Sequence, residues 1–175
     1  MATGVIVADT VKRLHIPFFL VDASEFNMHT STNVFDVAAY ILSKTGVITH
    51  MKLQKLIYYS QAWALVWDDA PLFPERIEAW INGPVSPDLF QELKGQFSIG
   101  PSSVDSKGDA KKLSDEQRQT IDGVVEHYGT HNSQYLSDLS HLEDPWRNAR
   151  NGIPDSIRGS QEIIHASMSE YYSSL

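Results

Sequence analysis

The sequence predicts a mainly α fold, one compact helical domain with a small β-strand or hairpin element, so an α+β arrangement dominated by helices. Three observations carry this. Leu53, Leu56, Ile57, Ser60, Trp63, Ala64 and Trp67 recur at helical period and define one buried face. Ile77 to Asn82 alternates as a short strand does, before Gly83-Pro84. A chain of 175 residues is long enough to bury one good core.

Each element has its own signals. Residues 1 to 32 read as an N-terminal extension to a domain of residues 33 to 175. Val5-Ile6-Val7 and Phe18-Phe19-Leu20-Val21 are strand-like runs, Pro17 marks an edge or break, and Ser24 to Thr32 is linker-like. Three readings stay open for the extension: a docking arm, a partner-specific addition, or sequence ahead of a true start at Met28. Asn33 then caps a helix with Asp36 at N3 and the stripe Val34, Val37, Ala38, Ile41 and Leu42, and Gly46 stops it. Thr49 caps the next helix, and so short a connection predicts a packed helical pair. Gly83-Pro84 is expected to make the sharp turn after the strand. Ser86 and Pro87 suit the N-cap and N1 of a brief helix over 87–94, ended by Gly95.

Residues 96 to 112, rich in Gly, Ser, Lys and Asp, read as the longest and most mobile loop. Ser114 and Gln117 form a capping box for a helix facing inward through Ile121, Val124, Val125 and Tyr128, with Gly129 at its end. Tyr135, Leu136 and Leu139 begin another helix. Asp144 and Pro145 read as N-cap and N1 of the next, and a last helix from about Ser160 turns Ile163, Ile164 and Met168 inward.

Composition narrows the function. With 14 basic and 22 acidic side chains the formal charge is −8, which repels phosphate backbones and disfavours nucleic acid as a partner. No cysteine is present, which excludes disulfides, thiol nucleophiles and thiolate metal sites and suits a reducing cytoplasm. No apolar run approaches bilayer length, and the start lacks a secretory signal, so no membrane role is expected. His127 and His131 have metal-ligand spacing, but Gly129 should break the helix between them, so neither a metal nor a cofactor site is expected.

Three blocks hold residues that core packing alone does not demand. The first runs from Met51 to Ala64 and adds Lys52, Gln54, Lys55, Tyr58, Tyr59 and Gln61 at the edge or back of the apolar stripe. The second is Ile77-Glu78-Ala79-Trp80-Ile81-Asn82-Gly83-Pro84-Val85-Ser86-Pro87, and the third is Leu139 to Arg150, with His141, Glu143, Asp144, Trp146, Arg147 and Arg150. In this order and spacing the blocks resemble the Panacea domain, the SocA-like antitoxin family that includes many phage- and prophage-borne proteins. The resemblance spans about residues 33 to 172. Asn82, where an aromatic is common, and Ser140, where Thr is usual, depart from its pattern without disturbing the frame.

The resemblance implies an antitoxin of a toxin–antitoxin pair, neutralising a cognate protein toxin, encoded in the adjacent gene, by direct protein–protein binding. Delivery of the toxin to a protease is a variant of that mechanism. Net negative charge would steer such a chain toward a basic toxin. The residues placed at the toxin interface are Lys52, Gln54, Lys55, Tyr58, Tyr59, Trp80, His141, Trp146 and Arg150. Trp63 and Trp67 read as core. Trp80 is either an open-faced anchor or a covered core residue, in which case Glu78 needs a buried partner. Lys52 and Lys55 otherwise read as a solvated face, and Arg150 as pairing with Glu78 or Glu143. Two other functions stay open: a phage or prophage protein that binds a host-defence component, and a small enzyme acting on a nucleotide-like substrate. In the enzyme His141 would be the general base, Glu143 its orienting group and Arg147 or Arg150 an anion site.

Overall fold

A computed structural model of the protein describes residues 32–175, so the strand-like runs near Val5 and Phe18 lie outside the described residues. Among those described, seven α-helices surround or flank one another and two two-stranded antiparallel ribbons complete the fold. The mainly helical class expected from periodicity is what the chain adopts.

The first helix, α1 (Val34–Thr45), begins as its sequence dictates: Asn33 accepts from the amides of Phe35 and Asp36, and Asp36 accepts from the Asn33 amide. Gly46 ends it at φ 69°. The two-residue strand β1 (Ile48–Thr49) leads into α2 (His50–Trp67), where Thr49 accepts from the Lys52 amide as N-cap. Helix α2 is the axis of the molecule, packing on α1, on three later helices and on both ribbons.

The ribbon β2 (Glu78–Trp80) and β3 (Gly83–Val85) pairs Glu78 with Val85 and Trp80 with Gly83. The two-residue turn is therefore Ile81-Asn82, and Gly83-Pro84 belongs to the returning strand instead of forming the corner. Residues beyond α6 add a third line of backbone bonding: Ala79 donates to Gln161 O and Ile163 to Ile77 O. That extended stretch delays α7 (His165–Ser173), expected from about Ser160, and leaves Ile164 exposed while Ile163 and Met168 are buried.

The remaining elements are α3 (Pro87–Glu92), β4 (Ser98–Ile99), α4 (Asp115–Tyr128), α5 (Ser133–Leu142) and α6 (Asp144–Arg150). Helix α3 stops two residues early, and Ser86 caps it through the backbone alone. Ser114 and Gln117 form the expected capping box of α4. Helix α6 is shifted by one: Glu143 is its N-cap and Pro145 its second residue. The polar stretch 96–112 is ordered locally, because β4 pairs with β1 and two short 3-10 turns follow. Ile99 and Val104 bury there, and the Asp109 amide donates to buried Asp36 at 2.7 Å. Composition signalled polarity but not these anchors.

Candidate functional site

The three signature blocks meet inside the fold. Buried polar groups without partners cost heavily, so each polar side chain of α2 that turns inward must find one. Gln54 accepts from the Ser86 amide at 2.9 Å and approaches Ser86 O at 3.5 Å, clamping the junction of β3 and α3. Lys55 is fully buried and donates to Pro84 O at 3.0 Å. Among the described residues no carboxylate forms an ion pair with it. Burial alone pulls its pKa down to about 7. Gln61 accepts from the amides of Leu72 and Phe73 and donates to Phe73 O, so one side chain fixes the loop after α2.

The β2–β3 ribbon is held from its other side by the third block. Ser137 donates to Asn82 O at 2.8 Å, and Trp146 Nε1 donates to Trp80 O at 3.0 Å. Gly83, at φ 98°, lets the strand touch α2 and α5 together. A Cβ there would stand 2.7 Å from Ser140 Oγ and 2.8 Å from Lys55 Nζ. Arg150 is buried and donates to the carbonyls of Ala79, Pro154 and Ile157 while lying over the Trp146 ring.

A second polar centre sits under α6. Glu143 is buried, accepts from Tyr172 at 2.7 Å and from Tyr59 at 3.3 Å, and the Tyr172 hydroxyl oxygen in turn lies 3.2 Å from the Tyr58 hydroxyl, within hydrogen-bond reach. Tyr59 stacks on Tyr128 with ring centroids 4.0 Å apart. Burial raises the Glu143 pKa to about 7 against the lowering effect of the two tyrosine hydrogen bonds. The same burial pushes the hydroxyls of Tyr58, Tyr59 and Tyr172 well above their ordinary range.

Several sequence expectations change accordingly. Gln54, Lys55, Tyr58, Tyr59 and Gln61 are buried, so the edge and back of the α2 stripe are interior and Lys55 is no solvated face. Lys52 is half-buried and donates to Gly129 O at 2.7 Å. Trp80 is half-buried beneath α3, edge-on to Phe90, with Nε1 on Glu78 and the Arg158 guanidinium over its ring. Trp146 is core and His141 stacks on it at 4.0 Å. Arg150 pairs with carbonyls rather than with Glu78 or Glu143; Glu78 instead takes Arg76 at 2.9 Å. Among the described residues no hydrogen bond joins His141, Glu143 and Arg150 to one another: His141 stacks on Trp146, Glu143 accepts from two tyrosines and Arg150 donates to three carbonyls. Trp67 is 42% exposed at the end of α2, stacked on buried Trp63, so only one of the two is core.

Sequence reasoning also passed over Tyr172 and Ser137, and gave Tyr128 and Ser86 only as a helix-face residue and an N-cap. Met168 and Tyr172 stand four apart, a stripe that marks the buried face of α7. For α2 the overlooked signal is scarcity of charge: Lys52 and Lys55 are its only lysine, arginine or acidic residues in 18, too few for a solvated back.

These three interlocked blocks lie mostly within one family match. The chain belongs to the Antitoxin SocA-like, Panacea domain family, which matches residues 53–147, just over half its length. No curated protein and no solved structure matches the chain.

Proposed function

We propose that this chain is the antitoxin of a two-gene toxin–antitoxin pair, acting in the cytoplasm by binding a cognate protein toxin stoichiometrically, without catalysis. Membership of an antitoxin family carries the reading. The way the signature residues are used supports it. Lys55, Gln54, Gln61, Glu143 and Arg150 all hold backbone or buried hydroxyls, which leaves the outer surface to recognise a partner. Among the described residues no helix is long and apolar enough to cross a membrane.

Neutralisation by binding needs an interface large enough to outlast the toxin's engagement with its target, dominated by a few aromatic or arginine anchors. Co-expression with the neighbouring reading frame tests the proposal: growth is restored and the two proteins co-purify in fixed ratio. Failure of both rescue and complex formation sinks it. Toxin half-life with and without this chain separates blocking, which leaves it unchanged or longer, from delivery to a protease, which shortens it.

A further inference from the structure

The charge of the molecule is unevenly placed. From residue 113 to 175 the chain has ten acidic and four basic side chains and no lysine, so the α4–α7 half holds most of the formal −8. Within that half, α5 leaves an apolar strip outside. Tyr135 is 47% and Leu142 73% exposed, with half-buried Leu139 between them, and steps of four and three place all three on one helix face. Helix α6 packs on both α5 and α7, and half-buried Tyr171 of α7 is near enough to Glu143 and Asp144 for their charges to act on its hydroxyl. Asp138 within the strip's own helix turn, Asp144 at the start of α6 and Glu170 beside Tyr171 on α7 are exposed. The one exposed arginine of these three helices, Arg147, is 3.7 Å from Asp144.

An aromatic and aliphatic strip amid carboxylates has the anatomy of a recognition surface: apolar anchors in the centre, charge outside. Its field draws cationic surfaces and repels phosphate backbones. We propose that the α5–α7 face is where the toxin docks. What it takes is a basic protein surface that seats an apolar side chain among Tyr135, Leu139 and Leu142. This rests on the antitoxin reading above and adds to it the site and the chemistry of the partner.

Association of the full chain with the product of the neighbouring toxin gene tests it, with melting temperature and circular dichroism recorded for every variant. Tyr135→Ala combined with Leu142→Ala weakens binding by roughly 100-fold, mainly through faster dissociation. Asp138→Lys combined with Glu170→Lys slows association about tenfold at low salt, a difference that shrinks at high ionic strength. Phe97→Ala, on the β1–β4 ribbon, stays within about twofold of the parent despite being 79% exposed. Leu142→Ala alone provides the reading if the double variant melts early. Folded apolar variants that bind within twofold of the parent, or a loss confined to Phe97→Ala, overturn the assignment. So does a cross-linker at position 142 that captures a second copy of this chain in place of the toxin. A parent chain that neither binds nor neutralises the toxin fails differently, because it removes the antitoxin reading itself.

Discussion

The inner side of the β2–β3 ribbon and the outer side of α5 reverse the usual placement of residue types, polar groups inside the first and apolar groups outside the second, and do opposite work. At the ribbon, polar groups are buried and each is committed to a particular backbone atom: Lys55 to Pro84, Gln54 to Ser86, Arg150 to Ala79. On α5, Tyr135 and Leu142 lie outside, and neither side chain makes a hydrogen bond or ion pair among the described residues. A polar clamp in the interior tolerates little change, because removing one partner strands the other in a low-dielectric site. An exposed strip tolerates almost any change that keeps the helix. In this chain the committed interior therefore fixes the scaffold, and the outer face of α5 is left free of that constraint.

The sharpest way to break the inner side is Gly83→Ala. The backbone is at φ 98°, and the added methyl meets Ser140 Oγ and Lys55 Nζ below 3 Å. Left-handed strain and overpacking together predict a loss of roughly 4 kcal/mol, measured by denaturant unfolding. A loss below about 1 kcal/mol means that Lys55 is not wedged against the strand. Gln61→Ala comes next. It strips partners from the amides of Leu72 and Phe73 and from the Phe73 carbonyl at once, an expected cost of about 3 kcal/mol, with faster amide exchange at residues 72 and 73.

Two buried titrating groups then sharpen the comparison, because no exposed residue reproduces their behaviour. Glu143 holds its proton up to about pH 7 in the folded chain and only to the ordinary 4.5 when unfolded. The folded state thus binds more protons between those values, and stability falls as pH rises from 4.5 to 7, by about 3 kcal/mol from this group. Lys55 runs the other way: the unfolded chain stays protonated to the ordinary 10.5 and the folded chain only to about 7, so stability rises across that interval. Together they place a trough near neutrality. Unfolding measured from pH 4.5 to 10 should show Glu143→Gln losing the acidic limb and Lys55→Met the alkaline one. A parent without these limbs would mean that water reaches the two groups, and limbs that persist in the variants would mean that other groups carry them.

Much of the fold was legible in the sequence because helix ends are local. Asn33 with Asp36, Thr49, and Ser114 with Gln117 are caps made by residues within three positions, and all three form. The ribbon was half legible: alternation found β2, but Gly83-Pro84 looks like a turn in sequence and is a strand here because it must pass close to Lys55 and Ser140. Of the candidate site, periodicity found the face of α2 that meets the apolar core and missed that the opposite face meets the ribbon and α7. That burial depends on segments far along the chain, such as Ser86 and Tyr172; the scarcity of charge in α2 signals a covered back but not which segments cover it. Ser160 to Ile163 followed the same logic, extended by pairing with Ile77 and Ala79 rather than by its own propensity.

The smallest expected effect is the one that completes the contrast. Leu142→Ala and Tyr135→Ala remove exposed side chains, and each should change unfolding free energy by less than about 0.5 kcal/mol. Tyr135 gives the finer reading, since its ring also stacks on His131 with centroids 4.3 Å apart. If that stack anchors the start of α5, Tyr135→Ala costs more than Leu142→Ala and Tyr135→Phe restores the difference, because the contact is made by the ring and needs no hydroxyl. Equal, near-zero costs for both alanines mean that the strip is free of structural duty along its whole length. A cost above about 1 kcal/mol at Leu142 would place the end of α5 in the load-carrying interior after all, and the division between committed core and uncommitted face would fail at its most exposed point.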